Sequence, residues 1–183
     1  MIALDDFSYK RYGRKVCGAG YYYDHKSGGF EYGNTVVTCV VGSKSRRDHS
    51  SKLYHTGRAL LQTEGNLDNF RTKIQIGQDL VEDKIDGLVD RGVSRERIWL
   101  TAHSWYASQD LASTCEAKGV KYIIGVKSNW KCDMFGRSYS LKDLFSLDDR
   151  WRYVTHPKTG VRVHYKMKRV AMRTLGVVLV LAI

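Results

Sequence analysis

Residues 97–126 read RIWLTAHSWYASQDLASTCEAKGVKYIIGV. An apolar run, Arg97 to Thr101, predicts a strand that leads straight into His103. Ser108 is placed to cap a short helix carrying Leu111 and Cys115 on one face, and Gly119 closes it. Val120 to Val126 form a nearly unbroken β-prone run, the pattern of a strand covered on both faces. This strand–helix–strand unit decides the class of the fold.

Upstream of it, Phe70, Ile74, Val81, Ile85 and Leu88 recur at three- to four-residue spacing, with Gly77 in the gap, and Gly92 is placed to stop that helix. The stretch from Lys44 to Leu67 is polar and aperiodic, which predicts an irregular connection. Before it, Tyr21 to Tyr23 and Thr35 to Val41 predict a hairpin turning at Lys26-Ser27-Gly28-Gly29. The chain opens with a strand, Ile2 to Leu4, that runs into the adjacent carboxylates Asp5 and Asp6. The order is β, β, β, α, β, α, β, which predicts an α/β fold with a mixed sheet flanked by helices.

Beyond Asn129 the character changes. Leu141 to Leu147 can make one or two helical turns. VRVHYKMKRV alternates, with Val161, Val163, Tyr165 and Met167 on one face and Arg162, His164, Lys166 and Lys168 on the other. That strand can pack on a core while offering positive charge to phosphate, or serve as a solvated edge where lysine deters aggregation. The terminal TLGVVLVLAI is too short to span a bilayer and reads as a buried central strand.

The chain has 183 residues, 43% of them hydrophobic, enough for one domain with a sizeable core. Its formal charge of +11 points to a polyanionic partner, nucleic acid before membrane. Cys17, Cys39, Cys115 and Cys132 show no paired spacing, which argues against a zinc ribbon or a disulfide framework. With charges beginning at Asp5, no secretory signal is expected, and the expected location is the cytoplasm.

ALDDFSYKRYG, the YYYDHKSGGFEYGNTVVTCVV hairpin, the helix before Gly92, and WLTAHSWYAS followed by GVKYIIGVKSN together resemble the catalytic domain of the cut-and-paste DDE transposases of bacterial and archaeal insertion sequences. The likeness runs from Ile2 to about Asn129 and is weaker beyond. It implies an RNase H-like fold, incomplete at the C-terminus, as a single domain over 1–183: a core of 1–130 and the start of an inserted β-rich segment over 131–183. It also implies two aspartates and a later glutamate holding Mg²⁺ or Mn²⁺ for DNA strand cleavage and transfer. Asp6 matches the first aspartate, with Asp5 as the alternative register. His103 stands where the family has Asp in Asp-Ser-Trp-Tyr-Ala-Ser, and Asp110 is poorly placed to substitute.

A neutral imidazole can bind metal but cannot bridge two hard cations as a carboxylate does. The glutamate-bearing segment and an N-terminal DNA-binding region are expected to be missing. The expectation is therefore a truncated, inactive transposase-like domain, and one base change from an Asp to a His codon makes decay of an active gene economical. The alternatives are a non-catalytic nucleic-acid-binding protein and an RNase H-like nuclease with an Asp6/His103 metal site. The expected partner is DNA, with the protein nucleoid-associated when bound; no membrane and no small-molecule substrate are expected. Lys127, Asn129, Lys131, Arg162, Lys166 and Lys168 are the candidate DNA contacts. Trp105 and Tyr106 are expected to pack rather than stack on bases.

Overall fold

The computed structural model describes all residues except 14–15, 25–26, 43–46, 58, 60, 62–63, 135 and 148–149. The chain divides into two compact units, Met1–Tyr106 with Asp110–Ile124, and Ala107–Gln109 with Gly125–Ile183. Both are built on β-sheets, and helices accompany them, so the class is mixed α/β. No helix among the described residues is long and apolar enough to cross a membrane.

In the first unit the strands are β1 (Ile2–Lys10), β2 (Gly20–Asp24), β3 (Gly29–Gly42), β4 (Arg47–Tyr54), β5 (Trp99–Ala102) and β6 (Lys121–Ile124). Among the described residues they are joined by α1 (Lys73–Val89) and α2 (Gln109–Ala117). β3 is the long spine. On one side it pairs antiparallel with β1 from Ile2↔Val41 to Lys10↔Gly33. Its other side is shared by β2, which pairs with its first residues, and β4, which pairs with its last. β1 then pairs in parallel with β5, and β5 in parallel with β6.

The core lies between α1, α2 and one face of this sheet. Ile2 and Leu4 of β1, Val37, Cys39 and Val41 of β3, and Leu100 and Ala102 of β5 meet Ile76, Leu80, Val81 and Ile85 of α1. Every second strand residue is buried, as the pleat dictates. Gly77 lets α1 approach: a Cβ there would stand 3.0 Å from Leu4 Cδ2 and 3.1 Å from Tyr106 Cε1. The helix starts later than Phe70. Thr72 is its N-cap, accepting from Gln75 N while the Gln75 side chain accepts from Thr72 N at 2.9 Å, a complete capping box. It ends as expected at Gly92, whose φ of 80° allows Val93 N to donate back to Leu88 O at 3.0 Å.

Several expectations need correcting. The supposedly irregular stretch contains β4, whose sequence RDHSSKLY has no apolar face; it is held by the β3 backbone. Of the predicted hairpin turn, Lys26 lies outside the described residues. The strand predicted from Arg97 starts at Trp99, because Arg95–Arg97 form a 3₁₀ turn. The run from Val120 to Val126 yields only four strand residues, β6, at the end of the sheet and with Ile123 63% exposed, so it is not covered on both faces.

In the second unit, β7 (Lys131–Met134) and β8 (Arg137–Ser140) form a hairpin, followed by α3 (Leu141–Ser146), β9 (Arg152–Thr155), β10 (Arg162–Met172) and β11 (Gly176–Ala182). The order is β11-β10-β7-β8, and β9 pairs with the first half of β10. The terminal apolar run is not a central strand: β11 lies at the end of this order, with Val177, Leu179 and Leu181 exposed on one face. β10 keeps the expected facing in its first half, with Val163 and Tyr165 more buried than Arg162 and His164, and reverses it from Lys166 onward. Lys166, Val170 and Met172 are buried while Met167 is exposed. The reason lies in α3, whose terminal carbonyls draw the lysines inward: Lys166 Nζ donates to Phe145 O at 2.9 Å and Lys168 Nζ to Leu144 O at 2.8 Å.

Candidate functional site

β1 does not stop at its carboxylates; it runs on to Lys10 beside β3. What stops beside them is β5. Leu4 and Ala102 are the last Cα partners of the parallel β1–β5 ladder. Asp6 is thus two residues beyond that pair and His103 one beyond it. With strands about 4.8 Å apart and a rise of about 3.3 Å per residue, their Cα atoms lie within about 10 Å of each other. Strand alternation separates the two carboxylates. Asp6 shares the face of Ile2 and Leu4, is half-buried and points towards the helical layer, whereas Asp5 is exposed on the opposite face. His103 is exposed and accepts a hydrogen bond from Tyr106 N through its carbonyl.

Asp6 is already engaged. Lys73 Nζ donates to its Oδ2 at 2.7 Å, and the two side chains are only 22% and 17% exposed. Lys73 is the first residue of α1, a position where the helix dipole disfavours a cation by about 0.3–1 kcal/mol. No acidic residue in the first turn offsets it, so the compensation comes from across the fold, from Asp6. The Lys73 ammonium also lies 5.5 Å from the centroid of the Tyr54 ring.

On the other side stands Tyr106, fully buried against Leu4 and Gly77. Its hydroxyl makes no well-formed hydrogen bond. Burial, and then the negative charge of Asp6, push its pKa well above the usual phenol range. The hydroxyl is near enough to sense the carboxylate without closing a good bond to it. Tyr106 therefore packs, as expected, while Trp105 beside it is 54% exposed. A buried hydroxyl with no good partner contributes little to stability. Tyr106→Phe is accordingly expected to leave the thermal midpoint unchanged or slightly raised, the stability change staying within about 1 kcal/mol; a marked drop would show that the hydroxyl is bonded in solution.

Mg²⁺ and Mn²⁺ in a two-metal site need several carboxylate oxygens converging on the ions. The residues here offer Asp6 in an ion pair with Lys73, Asp5 on the wrong face, and an imidazole. Asp110, in the first turn of α2, is exposed. This donor set does not fit a pair of hard divalent ions. The buried cysteines offer no chemistry either: burial pushes the Cys39 thiol up to about 12 and that of Cys115 to about 11, leaving both protonated.

The candidate DNA contacts do not form one row. Lys127 and Asn129 are exposed in the segment between β6 and β7, and Lys131 is exposed at the start of β7. Asn129 and Lys131 share an open depression of about 530 Å³ with Trp130, Asp133, Arg173 and Thr174. Arg162 lines a separate depression with Trp151 and His164, and its guanidinium lies 5.1 Å from the Tyr153 ring centroid. Lys166 and Lys168 face α3 rather than outward. Sequence reading missed Lys73. Its signal was a lysine directly after a capping threonine, where a cation needs a reason to be.

No protein-family model matches the chain. No curated protein matches it, and no solved structure does.

Proposed function

We propose that this chain is a transposase-type domain with an RNase H-like first unit, that its partner is DNA, and that it does not run the metal-dependent strand cleavage of its proposed ancestors. The observation that carries the reading is the sheet order β2-β3-β1-β5-β6, with β4 also paired to β3. In it β3 is antiparallel to its neighbours, β1, β5 and β6 are parallel, and Asp6 and His103 both follow closely on Leu4↔Ala102, the last pair of the β1–β5 ladder. The resemblance in ALDDF and WLTAHSWYAS implies an RNase H-like fold, and a mixed sheet flanked by helices supports that reading.

The charge supports the choice of partner. Residues 150–183 hold Arg150, Arg152, Lys158, Arg162, Lys166, Lys168, Arg169 and Arg173, eight cations, with no Asp or Glu among them. Eight of the eleven excess charges thus fall in this stretch; Lys166 and Lys168 turn towards α3, the other six are exposed, and with exposed Tyr153 and Trp151 they give it the mixed aromatic and basic surface that nucleic acid favours. The lack of cleavage follows from the site. His103 supplies no negative charge at the second position, and Asp6 is paired with an ammonium. We place this activity in the cytoplasm of a prokaryotic cell, at the DNA.

Two measurements test the reading together. Binding to duplex DNA should be weak, and should fall by about tenfold or more between about 50 and 200 mM salt as phosphate neutralisation releases counterions. The same protein should leave supercoiled plasmid unnicked in Mg²⁺ or Mn²⁺. Salt-insensitive binding would remove the electrostatic basis. Metal-dependent nicking that disappears in Asp6→Ala would favour an Asp/His nuclease instead.

A further inference from the structure

We propose that the Lys73 ammonium is the resident cation of Asp6, holding this carboxylate in an ion pair that any divalent ion must first break. The inference rests on the transposase-type reading only for the idea that a metal belongs at this strand position; the pair itself is a matter of geometry.

Two observations converge. The Lys73–Asp6 contact is short, 2.7 Å, and both side chains are mostly withdrawn from water. An ion pair in that setting is far less screened than one on the surface. Second, Lys73 occupies the one end of α1 where a cation is disfavoured, and nothing acidic in the first turn answers it. The helix is anchored there by its own capping box, Thr72 with Gln75, and is brought close to β1 by Gly77. The lysine is thus delivered to Asp6 by the rigid start of a helix rather than by a loop.

The electrostatic consequence is exclusion. A divalent ion approaching Asp6 meets a full positive charge within hydrogen-bond distance of the oxygen it would bind. Mg²⁺ is a poor match for imidazole, so His103 cannot make up the difference. Removing the charge on residue 73 while leaving its neighbours in place should therefore expose a latent site for one divalent ion on Asp6.

The test is a titration of Mn²⁺ alone, following free Mn²⁺ by electron paramagnetic resonance, in the unmodified protein and in Lys73→Met, Lys73→Gln and Lys73→Arg. The unmodified protein and Lys73→Arg should bind little Mn²⁺. Lys73→Met and Lys73→Gln should gain at least tenfold in affinity, lose that gain when Asp6→Asn is added, and tighten further with His103→Asp. Circular dichroism checks that each variant is folded.

Equal binding by the unmodified protein and the neutral variants would overturn the proposal. So would weaker binding in the neutral variants, which would make Lys73 a supporter of the metal. Unfolding of both neutral variants would overturn it too, since the pair would then be a requirement of the fold. No DNA and no turnover enter the titration. Failure of DNA binding would therefore sink the proposed function and leave this result standing, and the reverse also holds.

Discussion

Gly33→Ala is expected to unfold the first unit, or to destabilise it by about 3 kcal/mol or more. Gly33 lies in β3 where strands flank it on both sides, opposite Lys10 of β1 and Gly20 of β2. A Cβ built there would run into the backbone carbonyl oxygen of Tyr9 and stand 3.0 Å from a Tyr22 ring carbon. The ring could turn away; the carbonyl could not, because it belongs to the neighbouring strand. Relief by shifting β3 is also blocked. The adjacent Asn34 is buried, donates from Nδ2 to Cys17 O at 3.0 Å and accepts from Arg11 Nε at 3.0 Å.

A loss of this size is a large part of the 5–15 kcal/mol that holds a typical domain together. Urea denaturation would measure it, with Gly29→Ala as the matched control. Gly29 begins the same strand with open space around its would-be Cβ, so its alanine variant should lie within about 0.5 kcal/mol of the parent. Equal midpoints for the two variants would refute the argument.

Lys166→Glu should be comparably damaging to the second unit, by about 3–5 kcal/mol. The lysine is only 6% exposed, with Nζ donating to Phe145 O at the end of α3. Glutamate would leave that carbonyl without its donor and bring a carboxylate to the negative end of a helix dipole, in a place with little water. Lys166→Met separates the two effects, since it keeps the apolar stem and removes only the ammonium, and should cost about 1–3 kcal/mol. Limited proteolysis across residues 137–172 would read both variants. If Lys166→Glu resists the protease as well as the parent does, the inward orientation of this face of β10 is wrong.

Those two sites show what sequence reading reached and where it stopped. Apolar periodicity located β1, β3, α1, α2 and α3, because each carries a face that must be buried. It could not find β4, whose first six residues, Arg47 to Lys52, carry no apolar side chain. That strand exists because β3 has an edge to satisfy, and this is information held by the partner. In β10 the alternation was visible but its reversal was not. Val163 and Tyr165 lie on the more buried side as read, but beyond them the carbonyl end of a six-residue helix draws two lysines in and Met167 faces out. At the candidate site, the neighbourhood of Asp6 and His103 followed from the apolar run before each. Lys73 escaped notice because the helix was begun at Phe70, which hid the lysine mid-turn instead of at a helix start.

The anchoring of α3 has a kinetic side. A helix of six residues is too short to persist by its own hydrogen bonds. Here Ser140 accepts from Asp143 N at its start, and two lysines from β10 hold the carbonyls of Leu144 and Phe145 at its end. Fraying from the C-terminal end requires those lysines to let go, and they let go only if the middle of β10 moves. The shortest helix and the longest strand of this unit should then open as one event, so that their amides exchange with deuterium at a common rate and not as a labile turn beside a protected sheet.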